Sequence, residues 1–144
     1  MKKYYFVGVT VTFLVVFNLG YVFHDLLMGE WLHEKEALIS RTHYIIPAIA
    51  VAFIFYTIIQ SLLLPIFYFY TQEKHGWGIY KTALVFGGLI GFLWDALQGG
   101  IIEYATFNMP LEVVFVDSGF HVVEGMYTAM ILAFFHDKYV RVIA

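Results

Sequence analysis

The chain has 144 residues, 61% of them hydrophobic and only 13% charged, with a net charge of −3. Soluble domains carry about 25% charged residues, so this composition argues against a water-soluble core. No basic stripe follows any segment, which removes the electrostatic footprint of nucleic-acid binding, and the absence of cysteine removes disulfides and thiolate metal sites.

The apolar residues gather into four long runs. A hydrocarbon core about 30 Å thick needs about 20 apolar residues in helix, and four such spans fill most of the chain as one domain. The expected fold is all-α: an integral membrane four-helix bundle. The first span covers roughly Tyr4–Met28. It follows Met1-Lys2-Lys3 as a secretion signal would, but it is longer than a signal's apolar stretch and no small-x-small cleavage site follows, so it is expected to remain as a span. A polar loop, Gly29 to His43, comes next. Trp31 and Leu32 recur seven residues on as Leu38 and Ile39, among Glu30, Glu34, Lys35 and Glu36. That spacing fits a short helix lying on the outer interface, with an ordinary solvated loop as the alternative.

The second span covers roughly Tyr44–Tyr70, with Pro47 tolerated in its first turn and Pro65 expected to kink its far end. Thr71 to Gly76 reads as a short loop, the third span as roughly Ile79–Ile102. A turn around Asn108-Met109-Pro110 leads to the fourth span, roughly Leu111–Phe135, and a charged tail.

Basic residues set orientation. Lys2, Lys3, Lys74, Lys81, Lys138 and Arg141 fall on one side of a four-span arrangement, Lys35 and Arg41 on the other. This predicts a multi-pass protein of the plasma (inner) membrane with both termini cytoplasmic. Tyr4, Tyr5, Tyr68, Tyr70, Trp77, Tyr80 and Tyr139 would form the inner aromatic belt and Trp31 the outer one.

Charges within spans cost about 2.5–3.5 kcal/mol each on insertion scales, so those present should face protein or a cavity. Span three carries Asp95, Gln98 and Glu103; span four carries Asp117, His121 and Glu124; span one ends with His24 and Asp25. All fall in the outer half, and the inner half reads as nearly featureless. Asp117, His121 and Glu124 are spaced i, i+4, i+7 and share a helix face. Folding spans three and four about Met109 puts Asp95 level with Glu124, Gln98 level with Phe120 and His121, and His24 at the depth of Asp117 and His121. Two carboxyls at one depth in a low dielectric would share a proton. The sharpest expectation is therefore an Asp95–Glu124 proton-holding pair beside His121. A satisfied structural hydrogen bond between helices is the alternative.

Metal binding is a rival. His24, His121, Glu124 and Asp95 offer donor atoms for zinc, iron or copper. Di-iron bundles use Glu-x-x-His, whereas His121-Val122-Val123-Glu124 runs in reverse and occurs once. A haem between His24 and His121 would rest only on their similar depth. The remaining histidines, His33, His43, His75 and His136, read as solvated or interfacial. No nucleophile elbow and no phosphate loop is present.

Ala83, Gly87 and Gly91 recur every four residues, as do Gly125, Ala129 and Ala133. Small residues at this spacing let backbones approach. They predict a tight hairpin of spans three and four with a polar outer mouth, or a homodimer seam.

Two stretches carry a resemblance. One is Leu19-Gly20-Tyr21-Val22-Phe23-His24-Asp25-Leu26-Leu27-Met28-Gly29-Glu30-Trp31. The other runs from Gly87-Gly88-Leu89-Ile90-Gly91 through Phe107-Asn108-Met109-Pro110-Leu111 to Val116-Asp117-Ser118-Gly119-Phe120-His121-Val122-Val123-Glu124-Gly125. Together they resemble an uncharacterised family of small bacterial four-span membrane proteins. The resemblance implies a four-helix fold and a bacterial-type plasma membrane; it implies no reaction, ligand or cofactor.

Three functions follow. The preferred one is a pocket of Asp95, Glu124, His121, His24, Gln98 and Asp117 that binds a small solute, ion or proton in transport or sensing. The second is an accessory subunit of a larger membrane complex. The third is a membrane enzyme acting on a lipid-soluble substrate, for which a carboxyl pair and a histidine supply acid–base groups. The lipid bilayer is the one partner common to all three.

Overall fold

The structure, a computed structural model, describes residues 2–36, 46–94 and 110–140. Every element among these residues is helical. Helix α1 covers Tyr4–Leu27; its α-helical middle, Val9–Tyr21, is flanked by π-helical turns at Tyr4–Gly8 and Val22–Leu27. Helix α2 is Gly29–Glu36, α3 Ile46–His75, α4 Ile79–Trp94 and α5 Leu111–Tyr139. Tyr4–Leu27, Ala50–His75 and Leu111–Tyr139 each exceed the about 20 residues that cross a hydrocarbon core. Large apolar side chains cover their outward faces, among them Phe6, Leu27, Ile66, Phe69 and Phe115. The sequence expectation extends the third span to Ile102; residues 95–109 lie outside the described residues.

One local expectation is met in part and another changes. The polar loop after span one contains a helix, α2, with Trp31 half-buried; Leu38 and Ile39 lie outside the described residues. The loop expected from Thr71 is mostly helix. α3 runs on without interruption through Pro65 to His75 and stops at Gly76, whose φ of 65° is the left-handed conformation that ends helices. The Gly76 N–H donates to the Gln72 carbonyl at 2.9 Å, which satisfies one of the last orphan carbonyls. Polarity in Gln72, Glu73 and Lys74 reads as loop in a hydropathy profile, yet these are good helix formers. Thr71 adds a tertiary reason: it is buried, its hydroxyl 2.8 Å from that of Thr82 on α4.

The most extensive contact is the α4–α5 hairpin. A Cβ on Gly87 would meet the Gly125 carbonyl, a Cβ on Gly125 the Gly87 carbonyl, and a Cβ on Gly91 the His121 carbonyl. Ala129 is completely buried. The small-residue ridge is thus spent within the chain, where it sets the hairpin's register. Gly87 stands opposite Gly125 and Gly91 opposite His121, so the same register puts Glu124 level with Gly88. The sequence expectation, counted from the turn near Met109, gave that level to Asp95. Asp95 and Gln98 themselves lie outside the described residues.

Away from the site, Tyr4, Leu64, Ile79, Phe86, Leu132 and Ala133 form the apolar core. Tyr4, expected in an aromatic belt, turns inward and donates its hydroxyl to the Ser61 carbonyl at 3.0 Å. His136, expected at the interface, is buried between the Tyr4 and Tyr68 rings.

The rest of the bundle, expected to be nearly featureless, holds buried polar groups of its own. Thr12, Thr57, Gln60, Ser61, Thr82 and Thr128 are all buried. Most of these hydroxyls turn back onto their own helix, as Thr57 does to Phe53 and Thr128 to Glu124. Gln60 differs: it is fully buried, and neither amide atom has a partner among the described residues. Gln60→Leu is expected to stabilise the bundle by about 1–3 kcal/mol, because it removes an unsatisfied amide from apolar surroundings. Denaturant unfolding in detergent measures this; a loss of stability would show that the amide is held by buried water.

Candidate functional site

The site lies where the end of α1 meets the first half of α5. Its residues come from two local features. On α5, the i, i+4, i+7 spacing turns Asp117, His121 and Glu124 to one side. On α1, the π-helical turn Val22–Leu27 carries Phe23 and His24, with the Met28 N–H donating to the Phe23 carbonyl at 2.9 Å. A π-turn widens the helix and changes where following side chains point, and such turns recur at functional sites. Four residues earlier, Gly20 leaves room: a Cβ there would lie 3.2 Å from the Phe53 ring and 3.8 Å from Glu124 Oε1.

Glu124 is the anchor. Its side chain is 2% exposed and its Oε2 lies 2.6 Å from His121 Nδ1. With Glu124 as a carboxylate it accepts, which assigns the proton to Nδ1 in the neutral ring and leaves Nε2 as the acceptor nitrogen. That Nε2 lies 3.8 Å from Asp117 Oδ2, while His24 Nδ1 lies 3.8 Å from Asp117 Oδ1. One donor atom from each of His24, Asp117 and His121 falls within 4.8 Å of the others.

Aromatic rings frame these groups. Phe23 and Phe120 stack at 3.8 Å with planes 6° apart, joining α1 to α5 beside the imidazoles. Phe120 also meets His24 at 5.2 Å and His121 at 5.4 Å, edge to face. On the far side of Glu124, the Tyr127 hydroxyl stands 3.5 Å from Oε1, at the long limit of a hydrogen bond. A cavity of about 110 Å³, lined by Ala52, Phe53, Tyr56, Trp94, His121 and Glu124, opens beside the pair.

Of the residues singled out in the sequence, His24, Asp117, His121 and Glu124 come together. The sequence offered His24, His121, Glu124 and Asp95 as metal donors. Among the described residues, which do not include Asp95, the convergent set is His24, Asp117 and His121, with Glu124 held behind His121. Phe23, Phe120, Gly20, Tyr127 and the cavity were not anticipated. Phe120 was detectable in principle as the neighbour of His121; nothing local marks a π-turn or a ring stack between distant helices. No protein-family profile, curated protein or solved structure matches the chain.

Proposed function

We propose that this chain is a four-span integral membrane protein of the plasma membrane that binds a small ion or proton at the His24, Asp117, His121 and Glu124 centre. The observation that carries the reading is the convergence of two imidazoles and two carboxylates from two helices, one of the carboxylates fully enclosed. Groups that are costly to bury are retained here as a connected set, with one ring nitrogen of each histidine within 4.8 Å of the other.

Orientation is part of the proposal. Lys81 lies 4.4 Å over the Trp77 ring and Lys74 4.9 Å over the Tyr70 ring, at the end of the bundle opposite the site. Basic and aromatic anchors favour the cytoplasmic interface, so the reading puts the termini inside and the site near the outer surface, with α2 on that interface.

The test is imidazole NMR on the detergent-solubilised protein, titrated separately with protons, sodium, magnesium and zinc. The His24 and His121 resonances should respond together to at least one of these, and Asp117→Asn should uncouple the two responses. Independent or absent responses in the unmodified protein would overturn the reading.

A second reading is favoured by the cavity. Its walls are Ala52, Phe53, Tyr56 and Trp94, with His121 and Glu124 at one side. An apolar chamber beside an acid–base pair fits an enzyme acting on a lipid-soluble substrate. Lipid profiles that are unchanged on deletion of the protein would count against it.

A further inference from the structure

We infer that the ion is a divalent transition metal, held by His24, Asp117 and His121, with Glu124 as the outer carboxylate that orients His121. The inference rests on the ion-binding reading above and narrows it to one chemical class.

Donor type carries the first step. Magnesium and calcium take six or more oxygen ligands, which two imidazoles cannot supply, whereas nitrogen with one carboxylate suits zinc, iron or cobalt. Geometry carries the second. Zinc bonds of about 2.0–2.1 Å at tetrahedral angles hold donor atoms about 3.3–3.4 Å apart. The two His–Asp separations are 3.8 Å, too long for the about 2.7–2.9 Å of a direct charge-assisted hydrogen bond, yet the donors face one another. Small side-chain rotations bring all three, now within 4.8 Å, onto one ion.

The arrangement behind His121 is the third step. Histidines that bind metals donate their other ring N–H to a carboxylate or carbonyl, which fixes the tautomer and strengthens the ligand. Glu124 does this at 2.6 Å from a fully enclosed position. Charge is consistent with this: among the described residues, two neutral imidazoles and two carboxylates would balance one divalent ion. The described residues supply three donors, the number that zinc sites exchanging water or substrate take from protein.

The test uses the full chain in detergent, stripped with chelator. Zinc should bind at one equivalent by calorimetry, and cobalt in its place should give visible ligand-field bands of nitrogen and oxygen coordination. His24→Ala, Asp117→Asn and His121→Ala should each weaken zinc by more than the about 10–100-fold typical of losing an outer-shell group. Unchanged helical circular dichroism shows that the variants fold, and the cobalt spectrum of the unmodified protein stands without any variant. No zinc binding, or full-strength binding in the three variants, overturns the metal. If zinc fails while His24 and His121 still titrate together with protons or another cation, the ion-binding reading survives without this inference. If no ion or proton couples them, both fall.

Discussion

Replacing Gly87 with alanine is expected to destabilise the folded bundle by about 3 kcal/mol or more, the upper part of the range for overpacking. The added methyl would be driven into the Gly125 carbonyl and its neighbouring backbone. Backbone cannot rotate away as a flexible side chain can, so α4 and α5 must separate, and close helix contact is what holds helices together where lipid is as apolar as protein. Gly91→Ala should cost a similar amount, with a further consequence: its methyl would meet the His121 carbonyl and shift the turn that carries the site. Gly119→Ala, on the same helix α5, is the control, because nothing among the described residues lies within 4 Å of the added atom. It should be neutral or gain up to about 1 kcal/mol from helix propensity. Unfolding in detergent mixtures measures all three. Equal stabilities for Gly87→Ala and Gly119→Ala would show that the glycine seam does not hold the hairpin.

Glu124→Leu is expected to lower ion affinity by about 10–100-fold while leaving every direct donor in place. The substitution keeps the side chain's bulk but removes the acceptor at 2.6 Å from His121 Nδ1. His121 then loses the bond that selects which nitrogen carries the proton, and its Nε2 no longer has a fixed lone pair toward Asp117 and His24. Two measurements separate this positioning role from mere packing. Nitrogen NMR of the ring should change from one tautomer to a mixture. Glu124→Gln, which retains an acceptor oxygen, should recover part of the affinity. Loss of affinity with an unchanged tautomer would place the effect in packing.

The two predictions draw on different depths of information. Positions 87, 91 and 125 are visible as a ridge in the sequence, because a four-residue repeat of small side chains is a local pattern. The grouping of Asp117, His121 and Glu124 is visible for the same reason: helical periodicity alone puts them on one face. Glu124 as the support of His121 was not visible. Helical periodicity paired Glu124 with Asp95 by depth alone, and Asp95 lies outside the described residues. Nor could hydropathy find the buried Gln60, since one amide in an apolar run barely changes a window average.

What the amino-acid order determines by itself is the helical, membrane-sized architecture, the small-residue seam and the shared face of three polar residues on α5. Each follows from composition or from a period of 3.6 along one helix. Tertiary structure alone decides which residues meet across helices: the register of the hairpin, and the π-turn that sets His24 against Asp117. These depend on backbone approach and ring packing between segments distant in sequence, and no local pattern encodes such distances.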